Sequence, residues 1–460
     1  MIEYYIKNSK NIRKDILALI KELKNYFLIE GISIENTNKY SKLELKNIFS
    51  EEDYSSICSV MDTVKKNKKK YPFLEKYVDK EVRIESKSKR FADLFAGCGG
   101  LSLGLENAGF KSVLVNEIDS TFAETHYFNN NLSVDDYYIG DINKLIIEID
   151  KYKSKLNKLD LVCGGPPCQG FSMANRQRII DDPRNNLYKS YLKFLHFTKP
   201  KFFIIENVKG MSNKIDEILT DIVKFVGKDY DVHFTLLNAR DFGIPQNRER
   251  FFIIGNRIGI KSVEIINNIL KNKSKNKTTL ESALYGLPIL FAKTEKNNAD
   301  YESIETGFTI KKEKLLQNDY LKVINKSEKF NYLLNHKNRY NNKRDIEIYN
   351  RLPQGANSLH KSIAEIMPYK SRNHMFKDKY YKLKLNDVCK TITSHMKLDC
   401  NMYIHPLQAR GLSPREAARI QSFPDSFYFR GPQNKWYAQI GNAVPVRLAE
   451  IIGNEIIKYL

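Results

Sequence analysis

Three shortages narrow the reading before any motif is met. No apolar run in the 460-residue chain approaches the roughly 20 residues of a membrane span, so no membrane contact is expected. The N-terminus, MIEYYIKNSKNIRKDILALI, lacks the uninterrupted apolar core of a signal peptide, which predicts a cytoplasmic protein. Cysteine is sparse: Cys58, Cys98, Cys163, Cys168, Cys389 and Cys400 are scattered and none forms a C-x-x-C pair. That argues against a disulfide framework and a zinc knuckle, and no metal site is expected.

Acidic charge is also in deficit. The chain has 75 Lys and Arg against 54 Asp and Glu, a net charge of +21. Such an excess suggests a polyanionic partner, or a Lys-rich composition inherited from an AT-rich genome. The distribution favours the partner. Residues 258–408 carry 27 basic and 15 acidic side chains, residues 1–89 carry 19 and 14, and the remainder 29 and 25. A basic middle region beside a nearly neutral remainder resembles a nucleic-acid surface grafted on an enzyme.

The chain's texture changes along its length. Residues 1–89 are mostly helical in pattern, as in DILALIKELKNYFLIEG, with a basic run, KKNKKK, of the kind that is more often a solvated face than a binding site. Between Phe91 and Gly255, short apolar strands alternate with helical stretches: RFADLFAG, KSVLVNE, LDLVCGG, KFFIIENV, DVHFTLLNA and RFFIIGN. This alternation predicts an α/β domain with a parallel sheet flanked by helices. After Gly255 the pattern weakens, and it returns in LSPREAARIQSFP and QIGNAVPVRLAEIIGNEII.

FADLFAGCGGLSLGLENAGF places Gly97, Gly99 and Gly100 between a strand and a helix. Glycines there let a backbone approach a ligand, with the helix N-terminus facing it; they also serve plain tight turns. Glu117 follows twenty residues after Gly97, where an acid can hold a ribose diol. Leu103 stands where a dinucleotide fingerprint needs its third glycine, which disfavours a nicotinamide oxidoreductase. A nucleoside without pyrophosphate fits better, and S-adenosyl-L-methionine is the candidate. Asp141 ends the following strand; it either reaches an adenine amino group or caps its loop.

GGPPCQGFS sets Cys168 on a stiff loop just past a strand end, because Pro166 and Pro167 suit neither helix nor central strand. A lone cysteine is more often apolar filler, so its companions matter. Glu206 ends the apolar strand KFFIIENV, and strand ends line the ligand crevice of an open parallel sheet. Arg248 and Arg250 lie one side-chain period apart at the head of the next strand, available for salt bridges or for a site. A thiolate, a carboxyl and a guanidinium beside a methyl sulfonium suit one chemistry. A thiolate adding to cytosine C6 makes C5 nucleophilic, a carboxyl at N3 eases the addition, and an arginine at O2 stabilises ring charge.

With DLFAGCGGLSLG, NEID, GGPPCQGFS, DPRNNL, IIENV, PQNRER, LSPREAARIQSFP and QIGNAVPV in this order, the chain resembles the DNA (cytosine-5)-methyltransferases of bacterial restriction–modification systems. The resemblance covers 90–257 and 409–460. It implies a Rossmann-like S-adenosylmethionine-dependent methyltransferase domain (90–257, completed by a return segment, 431–460), with a smaller variable target-recognition domain (258–430). Residues 1–89 are then a helical N-terminal extension. It implies Cys168 as nucleophile, Glu206 as the acid at N3, Arg250 at the cytosine ring and Arg248 in support. Phe95, Gly97, Gly99, Glu117, Ile118, Asp141, Ile142, Pro167, Leu187 and Asn442 fall around the cofactor. The segment after Cys168 matches a mobile loop that closes over DNA. Thr391–Ser394, TITS, resembles a stretch near the end of the recognition region, though β-propensity explains it too. Duplex DNA is the implied partner, bound by a monomer, with a cognate endonuclease encoded nearby and no direct contact to it. The alternatives are tRNA cytosine methylation, whose branch carries a Cys-Phe-Thr tripeptide absent here, and a DNA-binding regulator without catalysis.

Overall fold

The structure is a computed structural model that describes residues 88–130, 132, 134–167, 187–294, 311–312, 315–326, 332–368 and 379–460. Residues 1–87 of the N-terminal extension lie outside the described residues, as do Cys168 and the segment following it.

The predicted strands form: β1 (Lys89–Leu94), β2 (Phe110–Glu117), β3 (Tyr137–Ile139), β4 (Leu161–Gly164), β5 (Phe202–Asn207), β6 (Asp231–Asn238) and β7 (Glu249–Asn256). They make one seven-stranded sheet in the order β3-β2-β1-β4-β5-β7-β6. Neighbours from β3 to β5 are parallel, as expected. The expectation of an all-parallel sheet fails at β7, which is antiparallel to both β5 and β6. The physical reason is the connection. From β6 the chain turns back through the short Ala239–Phe242 turn and Pro245, without the long crossover that parallel neighbours require.

Helices cover both faces. Alternating residues of the central strands divide between two apolar cores, as a two-residue side-chain period dictates. Phe91, Leu161, Phe202, Ile204, Phe252 and Ile254 face one core, and Ala92, Leu94, Val162, Phe203, Ile205 and Ile253 face the other. The first core is completed by α1 (Gly100–Asn107). Then α2 (Ser120–Asn129) packs against β2 and β3, while α3 (Ile142–Ile147) and α4 (Lys153–Leu156) bury Ile142, Leu145 and Leu156 in the second core. The second core takes α5 (Leu187–Thr198) and α6 (Ile215–Val226). Next, α7 (Ser262–Lys271) inserts Ile265, Ile266 and Ile269 into the first core, so that core extends past residue 257.

Beyond α7 the chain holds short elements: α8 (Leu280–Leu284), α9 (Asp319–Ile324) and α10 (Lys343–Arg351), with a two-residue pair, β8 (Lys311–Lys312) and β9 (Tyr332–Leu333). Then α11 (Pro414–Ile420) and α12 (Gln433–Asn442) share a third core with α8 and α9, built around the fully buried Trp436. The motif LSPREAARIQSFP supplies α11 and its capping box, in which Ser413 and Glu416 satisfy each other's backbone amides.

The chain returns through α13 (Val446–Ile456), which packs on α1. The contact is close because α1 offers no side chain there. A Cβ on Gly104 would sit 2.4 Å from Ala449 Cβ and 2.5 Å from the Val446 carbonyl, and one on Gly100 would sit 2.5 Å from the Val444 carbonyl. Gly104→Ala is therefore a signed test. In a free helix alanine gains about 1 kcal/mol over glycine, but here overpacking should cost about 1–3 kcal/mol. Thermal denaturation should show a net loss; a rise in Tm would mean that α13 does not sit on α1 this closely.

Candidate active site

Because β3, β2, β1, β4 and β5 run parallel, their carboxyl ends share one edge of the sheet. That edge collects Asp141, Glu117 with Ile118, the Phe95–Gly99 loop, Gly164–Pro167, and Glu206 with Asn207. In open α/β sheets this is where ligands bind.

The glycine loop is held in an uncommon conformation. Phe95, Gly97 and Gly99 all have positive φ, at 59°, 60° and 94°. For a bulky residue such as Phe95 this costs about 1–3 kcal/mol and points to a functional constraint. A Cβ on Gly97 would meet nothing within 4 Å, so the loop faces open space, whereas one on Gly99 would strike the His126 ring at 2.6 Å. The Gly97 amide donates to Glu117 Oε2 at 2.7 Å and the Asp119 amide to Oε1 at 2.8 Å. Burial pushes the Glu117 carboxyl upward, and these two amides oppose the shift.

The other predicted cofactor residues divide. Ile118 is 71% exposed beside Glu117, a bare apolar face at the crevice. Asp141 caps α3, accepting from the Asn143 amide at 2.9 Å, and Ile142 is buried in the second core. Pro167 is exposed, and the preceding Pro166 carbonyl is held by Asn207 Nδ2 at 2.8 Å. Leu187 is half-buried at the start of α5, and Asn442 is exposed at the end of α12.

Glu206 closes β5, buried, with its Oε1 2.9 Å from Arg250 Nε. Their meeting depends on the reversal of β7. In the antiparallel register Asn207 faces Phe251, so the start of β7 lies at the end of β5; a parallel β7 would carry Arg250 to the opposite edge. Burial raises the Glu206 carboxyl above its ordinary value, and Arg250 and Arg248 offset only part of this. The loop from β4 passes so close that a Cβ on Gly165 would lie 2.9 Å from Glu206 Oε2.

Arg248 is placed differently. It is fully buried, and its guanidinium donates to three carbonyls: Ile392 at 2.5 Å, Gly441 at 3.1 Å and Ala443 at 2.8 Å. It thereby ties the TITS stretch to the end of α12. Gln246 reinforces the junction, accepting from the Ile392 amide at 2.7 Å and donating to Gln421 Oε1 at 2.8 Å. Gln421 in turn donates to the Ile440 carbonyl at 2.7 Å.

The sequence profile of the C-5 cytosine-specific DNA methylases matches residues 89–458. The chain belongs to that family. Among its relatives, the type II methyltransferase M.DdeI of Desulfomicrobium norvegicum is 34% identical over 397 residues, covering 80% of this chain and 88% of that protein. The type II methyltransferase M.FnuDI of Fusobacterium nucleatum is 32% identical over 376 residues, covering 80% and 94%. In structure, a prophage-encoded DNA modification methyltransferase of E. coli superposes with a TM-score of 0.63 at 28% identity, covering 81% of this chain and 99% of that one.

In this cytosine-5 methylase, sequence reasoning missed Asn207, Gln246 and Gln421, which touch no expected ligand yet set the frame. Their polarity carries little signal in the sequence, since nothing there marks Gln421 within AARIQSFP as buried. Removing one member of a buried ion pair leaves the other uncompensated. Arg250→Ala should cost about 3–5 kcal/mol of stability near pH 8, where Glu206 must ionise or bind a proton at a penalty. Lowering the pH to about 5 should recover part of that loss, since protonated Glu206 needs no counter-ion. Denaturant unfolding at both pH values checks the sign; an equal loss at both would mean the pair does not govern Glu206.

Proposed function

We propose that this methylase transfers the methyl group of S-adenosyl-L-methionine to C5 of a cytosine flipped out of duplex DNA, as the modifying partner of a restriction endonuclease. The buried Glu206–Arg250 pair at the end of β5 carries the reading. It stands beside the loop that leads into Cys168 and at the same sheet edge as the glycine loop. The relatives' description as type II methyltransferases supports the restriction–modification role.

The residues present fit the cofactor. Gly97 opens onto free space, Glu117 stands where a ribose diol is held, and Ile118 offers an apolar face to a flat ring. Phe95, Gly99, Asp141, Ile142, Pro167, Leu187 and Asn442 complete the assignment. When bound, the cofactor supplies an electrophilic methyl group.

The protein's own residues do the rest. Cys168 adds as thiolate to C6, and the displaced electron pair gives C5 enamine character. Glu206, whose burial favours the protonated form, donates to N3, and its second oxygen accepts from the N4 amino group. Thymine presents the opposite pattern at these positions and is refused. Arg250, freed in part from Glu206, stabilises charge at O2. After C5 has taken the methyl group, loss of the C5 proton restores the ring double bond and expels the Cys168 thiolate. Arg248 acts behind this, holding the segment that carries Arg250.

The basic region within 258–430 would bind phosphates and read the site, and residues 431–460 would complete the cofactor domain. Neither thiolate nor methyl donor reaches a stacked base, so the cytosine must leave the helix at a cost of a few kcal/mol.

Bisulfite sequencing of DNA from cells expressing the chain tests the function, with methylated cytosines expected in one recurrent duplex context. Cys168→Ala should lose methyl transfer yet retain cofactor binding by calorimetry. Duplex carrying 5-fluorocytosine should trap the wild type covalently, because fluorine cannot leave as a proton does. An active alanine variant would overturn the nucleophile assignment.

Base flipping has its own readout. A 2-aminopurine at the target position should brighten on binding, and a mismatched target should bind at least as tightly as a matched one. Persistent quenching in a footprinted specific complex would exclude it.

A further inference from the structure

One buried carboxyl has no part in the chemistry above. Asp93 lies in β1, two residues before Phe95, and is 1% exposed. A carboxyl inside an apolar strand, flanked by Ala92 and Leu94, is costly unless satisfied. Its Oδ2 accepts from Ser102 Oγ at 2.5 Å, but its Oδ1 is buried without a hydrogen-bond partner.

The groups acting on Asp93 come from each strand and helix around it. Ser102 comes from α1, the Cys163 thiol from β4 and the Glu117 carboxyl from β2. None of these is a cation. Tyr191, on α5, also lies within electrostatic reach and is held neutral by burial. The balance raises Asp93 to about 7, with desolvation the largest cause and the Glu117 charge adding to it.

Ser102 passes the contact outward. Its Oγ is 2.9 Å from His126 Nε2, and His126 Nδ1 is 2.8 Å from the Tyr137 hydroxyl. The hydroxyls and the imidazole can each donate in either direction. A half-turn of the Asn130 amide beside His126 Nδ1 would follow the reversal. The same heavy-atom positions therefore serve an ionised or a neutral Asp93. His126 also backs Gly99, so the chain of residues lies directly against the glycine loop.

Two buried carboxyls, Asp93 and Glu117, thus meet at a loop where the groups acting most on them bring no positive charge; Lys435, the cation on α12, pairs with Asp119 instead. The proposed donor is a sulfonium, whereas its demethylated product is a neutral thioether. We infer that Asp93 is the buried counter-charge to the sulfonium, ionised while the methyl donor is bound and protonated once the thioether product remains. This rests on the reading of the crevice as an S-adenosylmethionine site. In a low-dielectric interior a cation acts strongly on such a carboxyl even without contact. Methyl transfer then ends with uptake of a proton at Asp93, and the protein distinguishes donor from product by charge.

Isothermal titration calorimetry in two buffers of different ionisation enthalpy counts the protons. At about pH 6.5, below the value for the buried carboxyl, S-adenosylmethionine should release more protons than S-adenosylhomocysteine, by up to one per site. At about pH 8.5, with Asp93 already ionised, that difference should shrink toward zero. Asp93→Asn should abolish it and lower the donor-to-product affinity ratio roughly tenfold for each unit of pKa shift lost. The wild-type titration stands alone if that variant does not fold. Equal proton counts for the two bound ligands would overturn the inference and leave the cofactor assignment intact. Failure of both ligands to bind would overturn both.

Discussion

A buried carboxylate at the end of a strand has to find a cation, and the reversal of β7 answers that need. Glu206 closes an entirely buried strand, where a carboxyl with nothing beside it would be driven to its neutral form. Arg250 reaches it only because β7 begins where β5 ends. The pair leaves Glu206 between two states, still raised by burial but offset by a guanidinium.

The segment Pro245–Arg250 that carries Arg250 also joins the rest of the molecule. Cys389 exchanges backbone hydrogen bonds with Pro245 and Asn247, Gln246 reaches Gln421, and Arg248 grips the carbonyls at the end of α12. The middle of the chain and its C-terminal return are thus registered against the same few residues. Arg248 and Arg250 are neighbours by sequence period, but their environments separate them. One donates its hydrogen bonds to backbone carbonyls, and the other pairs directly with a carboxylate. Arginine suits both, since its planar fork donates in several fixed directions and keeps its charge.

Much of this was legible in the sequence. The six predicted strands follow from short β-branched and aromatic runs bounded by glycine and turn residues; burial on both faces explains why a central strand such as β5 is nearly continuous in apolar character, whereas β6, at the sheet edge, is mostly half-buried and mixed. Glu206 stood out because an acid after KFFII has no packing reason to be there. The direction of β7 was not legible. A strand's composition does not record which way it runs, and only the shortness of its connection to β6 carried that information. Asp93 is visible in the same sense as Glu206, as an acid within FADLFAG, but the adjacent glycines are the stronger signal in that segment. Gln246 and Gln421 gave little signal, because a polar residue in a connecting segment looks solvated until the fold buries it.

The C-terminal return shows why the domain must be discontinuous. The glycine loop needs a helix behind it whose own N-terminus stays unencumbered, so α1 begins with Gly99 at its cap and Gly100 at its first position. Those glycines remove the side chains that would otherwise fill the space beside α1. A second helix must supply the missing apolar surface, and α13 does so with Val446, Ala449 and Gly453 against Gly104, Leu105 and Ala108. Because α13 follows α12 directly, the same docking brings the Gly441 and Ala443 carbonyls to Arg248. Close helix packing and the anchoring of the arginine segment therefore both follow from the bare face that Gly100 and Gly104 leave on α1 toward α13.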